Sequence, residues 1–322
     1  MNIWRKVLLG VCFFTISSQS LYAEIILRLT ENQPEGNPVT VAMHLFSDLV
    51  NEYSNGEISV RVYSGAQLGQ ETESIEQAQF GIVDFARVNS VVLANVSPTL
   101  SVFTLPYIFR DAAHKYKVLD GEIGDQVRTD LNKYGLIGFD YLESGTRNIY
   151  TVEGKPVTKL SDLKGLKIRV QPARISLRMI ELLGAVPTPM NYGEVFSSLQ
   201  TGVIDGAEND FVSYHTSGHF EVAPNYVLDR HLSPPAILLM NKKRFESLTS
   251  AQQKIIERAA HEAALFERDL MFSANQKAQK TVQAAGSIIS PIDNQEFQNA
   301  ILPLYDEFPT LSPIIERIRA TK

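Results

Sequence analysis

Leu166-Lys167-Ile168-Arg169-Val170, then Gln171-Pro172-Ala173, then Arg174-Ile175-Ser176-Leu177-Arg178-Met179-Ile180-Glu181-Leu182-Leu183 and Gly184, place a strand, a short turn and a helix in one unbroken run. Leu166, Ile168 and Val170 share one face, the period-two pattern of a strand. Arg174 to Leu183 reads as a helix, and Gly184 is the expected stop residue. A strand feeding directly into a helix is the unit of an α/β fold.

The same rhythm extends in both directions. Downstream, Glu194 to Gln200 reads as a helix, and Val203 to Ala207, Tyr226 to Leu232 and Ala236 to Asn241 as strands. Upstream, strands are expected at Ile25 to Thr30, Ile58 to Tyr63, Val83 to Val88 and Leu136 to Leu142. Helices are expected at Pro38 to Tyr53, Glu71 to Phe80, Ala112 to Leu119 and Gly121 to Tyr134. At 322 residues the chain exceeds the usual compact domain, which predicts two lobes around a cleft.

After Thr249, which forms a capping-box pattern with Gln252, apolar residues recur every three or four positions. They are Ala251, Ile255, Ala259, Ala263, Phe266, Leu270, Ala274 and Ala278. No Gly or Pro interrupts the run before Gly286. A helix of about 35 residues would span ~50 Å, more than one small lobe. The alternatives are two helices with a hidden break or one strut bracing both lobes; the uninterrupted pattern favours the strut.

Residues 1–23 differ from the rest. Arg5 and Lys6 precede the apolar run Val7 to Ile16, and Leu21-Tyr22-Ala23 follows a serine-rich stretch. This is the pattern of a secretory signal peptide. A membrane anchor is the alternative, but the run is short for spanning a bilayer. Removal of 1–23 would take away Cys12 and Trp4, the only Cys and the only Trp. Lys+Arg would fall from 30 to 28 against 36 Asp+Glu, a net charge of −8. Such acidity argues against nucleic acid as a partner.

Signatures of catalysis fail. The chain has no G-x-S-x-G, no P-loop and no G-x-G-x-x-G. His215 and His219 stand four apart, but Gly218 lies between them and no Glu follows His215. Two ordinary histidines are the plainer reading, and no metal or cofactor is expected. Glu71 and Glu73, two apart on a helix, diverge in direction and make a poor acid pair.

Several polar residues stand out. Arg169 interrupts an apolar strand, where a charge normally needs a partner. Either an internal carboxylate or a ligand would serve. Arg147 follows the strand Leu136 to Leu142, and two convergent guanidinium forks would suit a carboxylic acid. Asn209 lies beyond the expected strand Val203 to Ala207, at the carboxyl end where α/β sheets bind ligands, unless it is a plain loop residue. Arg87 and Asn89 alternate with Ala86 and Val88 and so share a face, toward either a cleft or solvent.

At these positions a family pattern emerges. Gln67-Leu68-Gly69 with Glu71, Leu105-Pro106-Tyr107-Ile108-Phe109, Gly145-Thr146-Arg147, Leu163 to Val170, Pro187-Thr188-Pro189-Met190, Glu194 to Gly202 and Asp205-Gly206-Ala207-Glu208-Asn209 occur in order. Together they resemble the substrate-binding proteins of tripartite ATP-independent periplasmic (TRAP) transporters, over nearly all of residues 24–310.

The resemblance implies a periplasmic binding-protein fold of two α/β lobes with a cleft and a long bracing helix. Lobe one would comprise 24–145 plus 235–274, and lobe two 146–234 plus 275–322. It implies that Arg147, Arg169 and Asn209 hold a ligand carboxylate and that Tyr192 lines the pocket. Glu71 resembles an acidic hydroxyl-binding position and Asn32 another residue touching ligand. Sialic-acid binders of the family carry Glu where this chain has Asn89. The Arg87-x-Asn89, Ile168-Arg169-Val170-Gln171 and Ala207-Glu208-Asn209-Asp210 pieces resemble the hexuronate-binding branch. The expected function is therefore periplasmic capture of a sugar acid such as glucuronate or galacturonate, by a monomer without enzymatic activity. Its expected partner is an ion-gradient-driven membrane permease. C4-dicarboxylate binding, a sugar-acid enzyme and a sensor-feeding lobe are the alternatives.

Overall fold

The computed structural model describes residues 24–322. The signal-peptide reading of 1–23 lies outside the described residues. Two sheets form the framework. The first runs in the order Ile58–Tyr63, Ile25–Thr30, Phe85–Asn89, Ala236–Asn241, Leu136–Leu142. Its first three strands are parallel, and Ala236–Asn241 is antiparallel to both neighbours. Every residue of Ala236–Asn241 is buried, which explains its nearly continuous apolar sequence. The second sheet runs Ile288–Pro291, Asn225–Leu228, Asn148–Thr151, Gly206–Asn209, Lys167–Val170, Val186–Pro189.

The chain passes between the sheets three times: after Leu142, after Leu228 and along the helix Ser250–Ala284. That helix is continuous over 35 residues. Thr249 accepts from the Gln252 amide, and the Gln252 side chain accepts from the Thr249 amide. The helix packs on Pro38–Tyr53 and Leu136–Leu142 of one lobe and on Phe211–Thr216 of the other, so it braces both. Its buried stripe includes Ala259, Ala263 and Ala278 of the expected one but is centred differently: Ile256, Ala260, Ala264, Glu267 and Met271 also face inward, whereas Phe266 is 42% exposed. Polar burial accounts for this: the Glu267 carboxylate accepts from the Glu143 amide at 2.7 Å, where the chain first leaves the first sheet. Periodicity of apolar residues alone does not register a buried glutamate.

Several boundaries also moved. The expected strand Val203 to Ala207 is Gly206–Asn209, because it pairs with Asn148–Thr151. A side chain on Gly206 would meet the Tyr150 carbonyl at 2.4 Å, so only glycine allows that approach. The strand expected from Tyr226 ends at Leu228, and 229–235 form the second crossing. The expected strand at Val83 is Phe85–Asn89, and the helix expected from Gly121 to Tyr134 is Glu122–Asp130 with a 3-10 turn after it.

The C-terminal segment lies across both halves. Asn294–Ile301 and Pro303–Asp306 pack on Arg174–Leu182, whereas Ser312–Ala320 packs on Glu122–Asp130. Tyr305 donates to the Pro106 carbonyl at 2.7 Å.

Candidate functional site

Between the sheets lies a cavity lined by all nine residues singled out in the sequence: Asn32, Glu71, Arg87, Asn89, Arg147, Arg169, Gln171, Tyr192 and Asn209. Eight of them are buried and Tyr192 is half-buried. Arg87 and Asn89 therefore face the cleft rather than solvent. Its lips touch. Gln171 donates to Glu71 at 3.3 Å, Asn95 donates to the Pro172 carbonyl at 2.8 Å, and Val91 packs with Ala173 and Leu232.

One wall comes from the first sheet. The strand Phe85–Asn89 is buried throughout and ends at Asn89, whose side chain caps the helix Ser90–Leu93 by accepting from the Val91 amide. Its amide group also donates to Ser144 at 3.2 Å. Two strand positions earlier, Arg87 donates through Nε and Nη2 to the Glu31 carboxylate in a two-pronged contact. It further donates to Asn32 Oδ1 at 2.6 Å, and its Nη1 lies 3.6 Å from Glu71. Glu71 accepts from the Asn89 amide at 2.8 Å. Burial pushes the Glu71 carboxyl above its ordinary range despite nearby Arg87.

The second sheet supplies the other wall. Asn209 is the last residue of its strand rather than a loop residue, directly paired with Asn148. Arg147 donates to the Glu208 carboxylate through Nε and Nη2, to the Glu208 carbonyl at 2.7 Å and to Asn209 Oδ1 at 2.8 Å. Gly145, at φ 70°, lets this segment pass Asp210: a Cβ there would lie 2.3 Å from the Asp210 Cβ.

Behind Arg147 stands a chain of charges. His231 meets Asp229 at 2.6 Å on one nitrogen and Glu208 at 3.5 Å on the other. Burial alone would discharge the imidazole, but Asp229 and Glu208 raise its pKa to about 9. Burial would likewise raise Glu208, but Arg147 and His231 hold it at about 2.

Arg169 is different. It is 2% exposed, and no carboxylate lies within 4.0 Å of it among the described residues. Nε and Nη2 donate to a single acceptor, the Met190 carbonyl, at 3.1 and 2.8 Å. The Tyr192 ring centre lies 6.0 Å from the guanidinium carbon. Burial pushes the Arg169 guanidinium below its ordinary pKa, the opposite of the shift at Arg147. Of the two partners left open for Arg169, no internal carboxylate is in contact with it among the described residues.

Seven further residues line the cavity, among them Gln33, Ser144, Asp210, Ser213 and Met271. Met271 was missed because the expected stripe passes through Leu270, one position earlier. His231 was missed because Asp229-Arg230-His231 reads as an ordinary polar stretch, and its second partner, Glu208, is remote in the chain. His219, considered above for metal, is buried, hydrogen-bonded to Tyr150 at 2.7 Å, and held neutral by burial with a pKa of about 3.

The sequence pattern of bacterial extracellular solute-binding proteins, family 7, matches residues 29–310. The chain belongs to this family. Among relatives of this solute-binding protein, a solute-binding protein of Chromohalobacter salexigens is 37% identical over 286 residues, 88% of this chain and 85% of that one. A TRAP periplasmic solute-binding protein of Xanthobacter autotrophicus, solved with bound β-D-galacturonate, is 42% identical with a TM-score of 0.90. That match covers 92% of this chain and all of the other. A TRAP solute-binding protein of Roseobacter denitrificans, solved with β-D-glucuronate, is 35% identical, with the same TM-score and coverage. The two-lobed architecture expected from the sequence is the fold of these proteins. Among the described residues of this solute-binding protein no helix is long and apolar enough to cross a membrane.

The His231 geometry makes stability pH-dependent. A group whose pKa is higher folded than unfolded stabilises fully below its unfolded value, 6.5, and loses that contribution as pH rises through about 9. A shift of this size corresponds to roughly 3 kcal/mol. Wild type should therefore lose stability between pH 6.5 and 9 relative to His231→Gln, measured as the difference between their chemical-denaturation profiles. Taking the difference removes Glu267, which titrates in both proteins.

Proposed function

We propose that this solute-binding protein captures a hexuronate, glucuronate or galacturonate, in the cleft and delivers it unchanged to an ion-gradient-driven TRAP permease. The observation that carries this reading is Arg169, a buried guanidinium with no carboxylate within 4.0 Å among the described residues, in a cavity whose lining, apart from Val39 and Met271, is of hydrogen-bonding side chains. A ligand carboxylate supplies the missing charge, with Asn209 and Arg147 beside it. The sugar hydroxyls meet Asn32, Glu71, Asn89 and Gln171, and Tyr192 offers a ring to the apolar sugar face. The galacturonate and glucuronate complexes of the two TRAP relatives support this class of ligand.

The protein acts as an exported monomer, with 1–23 serving as the signal peptide. Lobe one is assigned 24–145 and 235–274, and lobe two 146–234 and 275–322, with the last helix resting on lobe one. Domain closure dries the cleft and strengthens the arginine–carboxylate contact.

Isothermal calorimetry should show hexuronates binding at least ~100-fold more tightly than succinate or malate, a difference of about 2.7 kcal/mol. Equal or reversed affinities exclude the sugar-acid reading. Recovery of the uronate chemically unchanged after long incubation separates capture from catalysis.

A further inference from the structure

The cavity holds three arginines, yet only one has charge to offer. Arg147 is matched by Glu208. Arg87 is matched by Glu31, with Glu71 at 3.6 Å besides. Asp210, also at the cavity, adds a carboxyl and not a cation. That leaves Arg169, on the second-sheet wall beside Gln171. A sugar acid whose carboxylate sits on Arg169 turns its far end toward the first-sheet wall, since Gln171 and Glu71 touch across the gap.

At that far end there is no cation to spare. The Nε and Nη2 of Arg87 are committed to Glu31, and Nη2 also reaches Asn32. Glu31 is 0% exposed and is itself held, because its Oε1 accepts from the Gln33 amide at 2.6 Å. Glu71 is held by the Asn89 amide and presents its other oxygen to the cleft. Such a wall fits a hydroxyl, which can donate to Glu71 or accept from Asn89, or a ring oxygen, which can accept from Asn89. A second carboxylate would be buried with no unmatched cation beside it: an ionised Glu71 repels it, and a protonated Glu71 offers one hydrogen bond but no compensating charge.

We propose that Glu31, acting through Arg87, and Glu71 together form a charge filter that rejects sugar acids bearing a second carboxylate, restricting the site to monocarboxylates. Glu31 is a positioning residue that keeps Arg87 from serving as a second anion clamp. Glu71 is the group the ligand meets. Selectivity arises here from a repulsive element as well as an attractive one. The filter rests on the reading that Arg169 holds the ligand carboxylate.

The test compares each uronate with the aldarate formed by oxidising its anomeric carbon to a carboxylate, galacturonate against galactarate and glucuronate against glucarate; because that oxidation also opens the ring, the open-chain monocarboxylates galactonate and gluconate serve as the shape control. Calorimetry on wild type should give aldarates at least ~100-fold weaker than uronates. Glu71→Gln keeps the shape and the contact with Asn89, and should shrink that ratio ~10-fold or more through a rise in aldarate affinity itself, since a fall in uronate affinity alone would reflect only the lost hydroxyl acceptor. Glu31→Gln frees the Arg87 fork and should shrink it further. It also strands a buried guanidinium and risks misfolding, so Glu71→Gln decides the matter alone if necessary. Aldarates binding wild type within about threefold of uronates would overturn the filter, as would an unchanged ratio in Glu71→Gln. A shorter pair, erythronate against tartrate, separates the two ideas. If uronates fail to bind but erythronate binds and tartrate does not, the hexuronate reading falls and the filter stands.

Discussion

Arg169→Ala is expected to abolish tight ligand binding while leaving the empty protein about as stable as wild type. The guanidinium is buried with no carboxylate, so the charge removed has no internal partner to strand. Its loss forfeits hydrogen bonds to one backbone carbonyl and also relieves the desolvation that depresses its pKa. These effects oppose each other. Binding has no such compensation: truncating one member of a buried charge pair costs ~2–5 kcal/mol, thirty-fold to several thousand-fold in affinity. Arg169→Lys should recover little, because an ammonium cannot present the two-pronged geometry. Calorimetry and apo melting on the same variant check both halves. A large fall in apo stability with affinity preserved would make Arg169 a structural residue.

Arg147→Ala should show the opposite balance, with folding hit hardest. Arg147 anchors Glu208, which is 2% exposed and held ionised at a pKa of about 2. Without it, Glu208 retains only His231, at 3.5 Å. Breaking a buried pair in this way typically costs ~3–5 kcal/mol. Denaturant unfolding of the apo variant should show a loss of that order, and the double variant Arg147→Ala with Glu208→Ala should recover part of it. If Arg147→Ala leaves apo stability within ~0.5 kcal/mol of wild type, the pair is not holding the fold. Arg169 and Arg147 thus differ in a way their shared assignment to ligand binding did not anticipate. One waits for a partner; the other already has one.

That difference marks the boundary of what the sequence conveys. Helix starts and stops are local chemistry, so the Thr249–Gln252 capping box and the extent of Pro38–Tyr53 were legible from a few neighbouring residues. The alternation of strand and helix was legible for the same reason, and with it the α/β class. Ordered motifs were enough to name nine of the sixteen residues that line the cavity. Strand registers were less accessible. Asn209 became a strand residue because Asn148 pairs with it from 61 residues away in the chain, and no local signal records that pairing.

Charge matching depends wholly on such long-range placement. Arg87 and Glu31 are 56 residues apart, and Arg147 and Glu208 are 61 apart, yet both pairs are buried and bonded. Arg169, in a strand of the second sheet, has no equivalent partner among the described residues. By itself the sequence determined which residue types could hold an acid, since side-chain chemistry and short-range spacing are intrinsic to it. Only the tertiary structure decided which arginine is free to do so, because a carboxylate neutralises a guanidinium only when folding brings their atoms within a few ångströms.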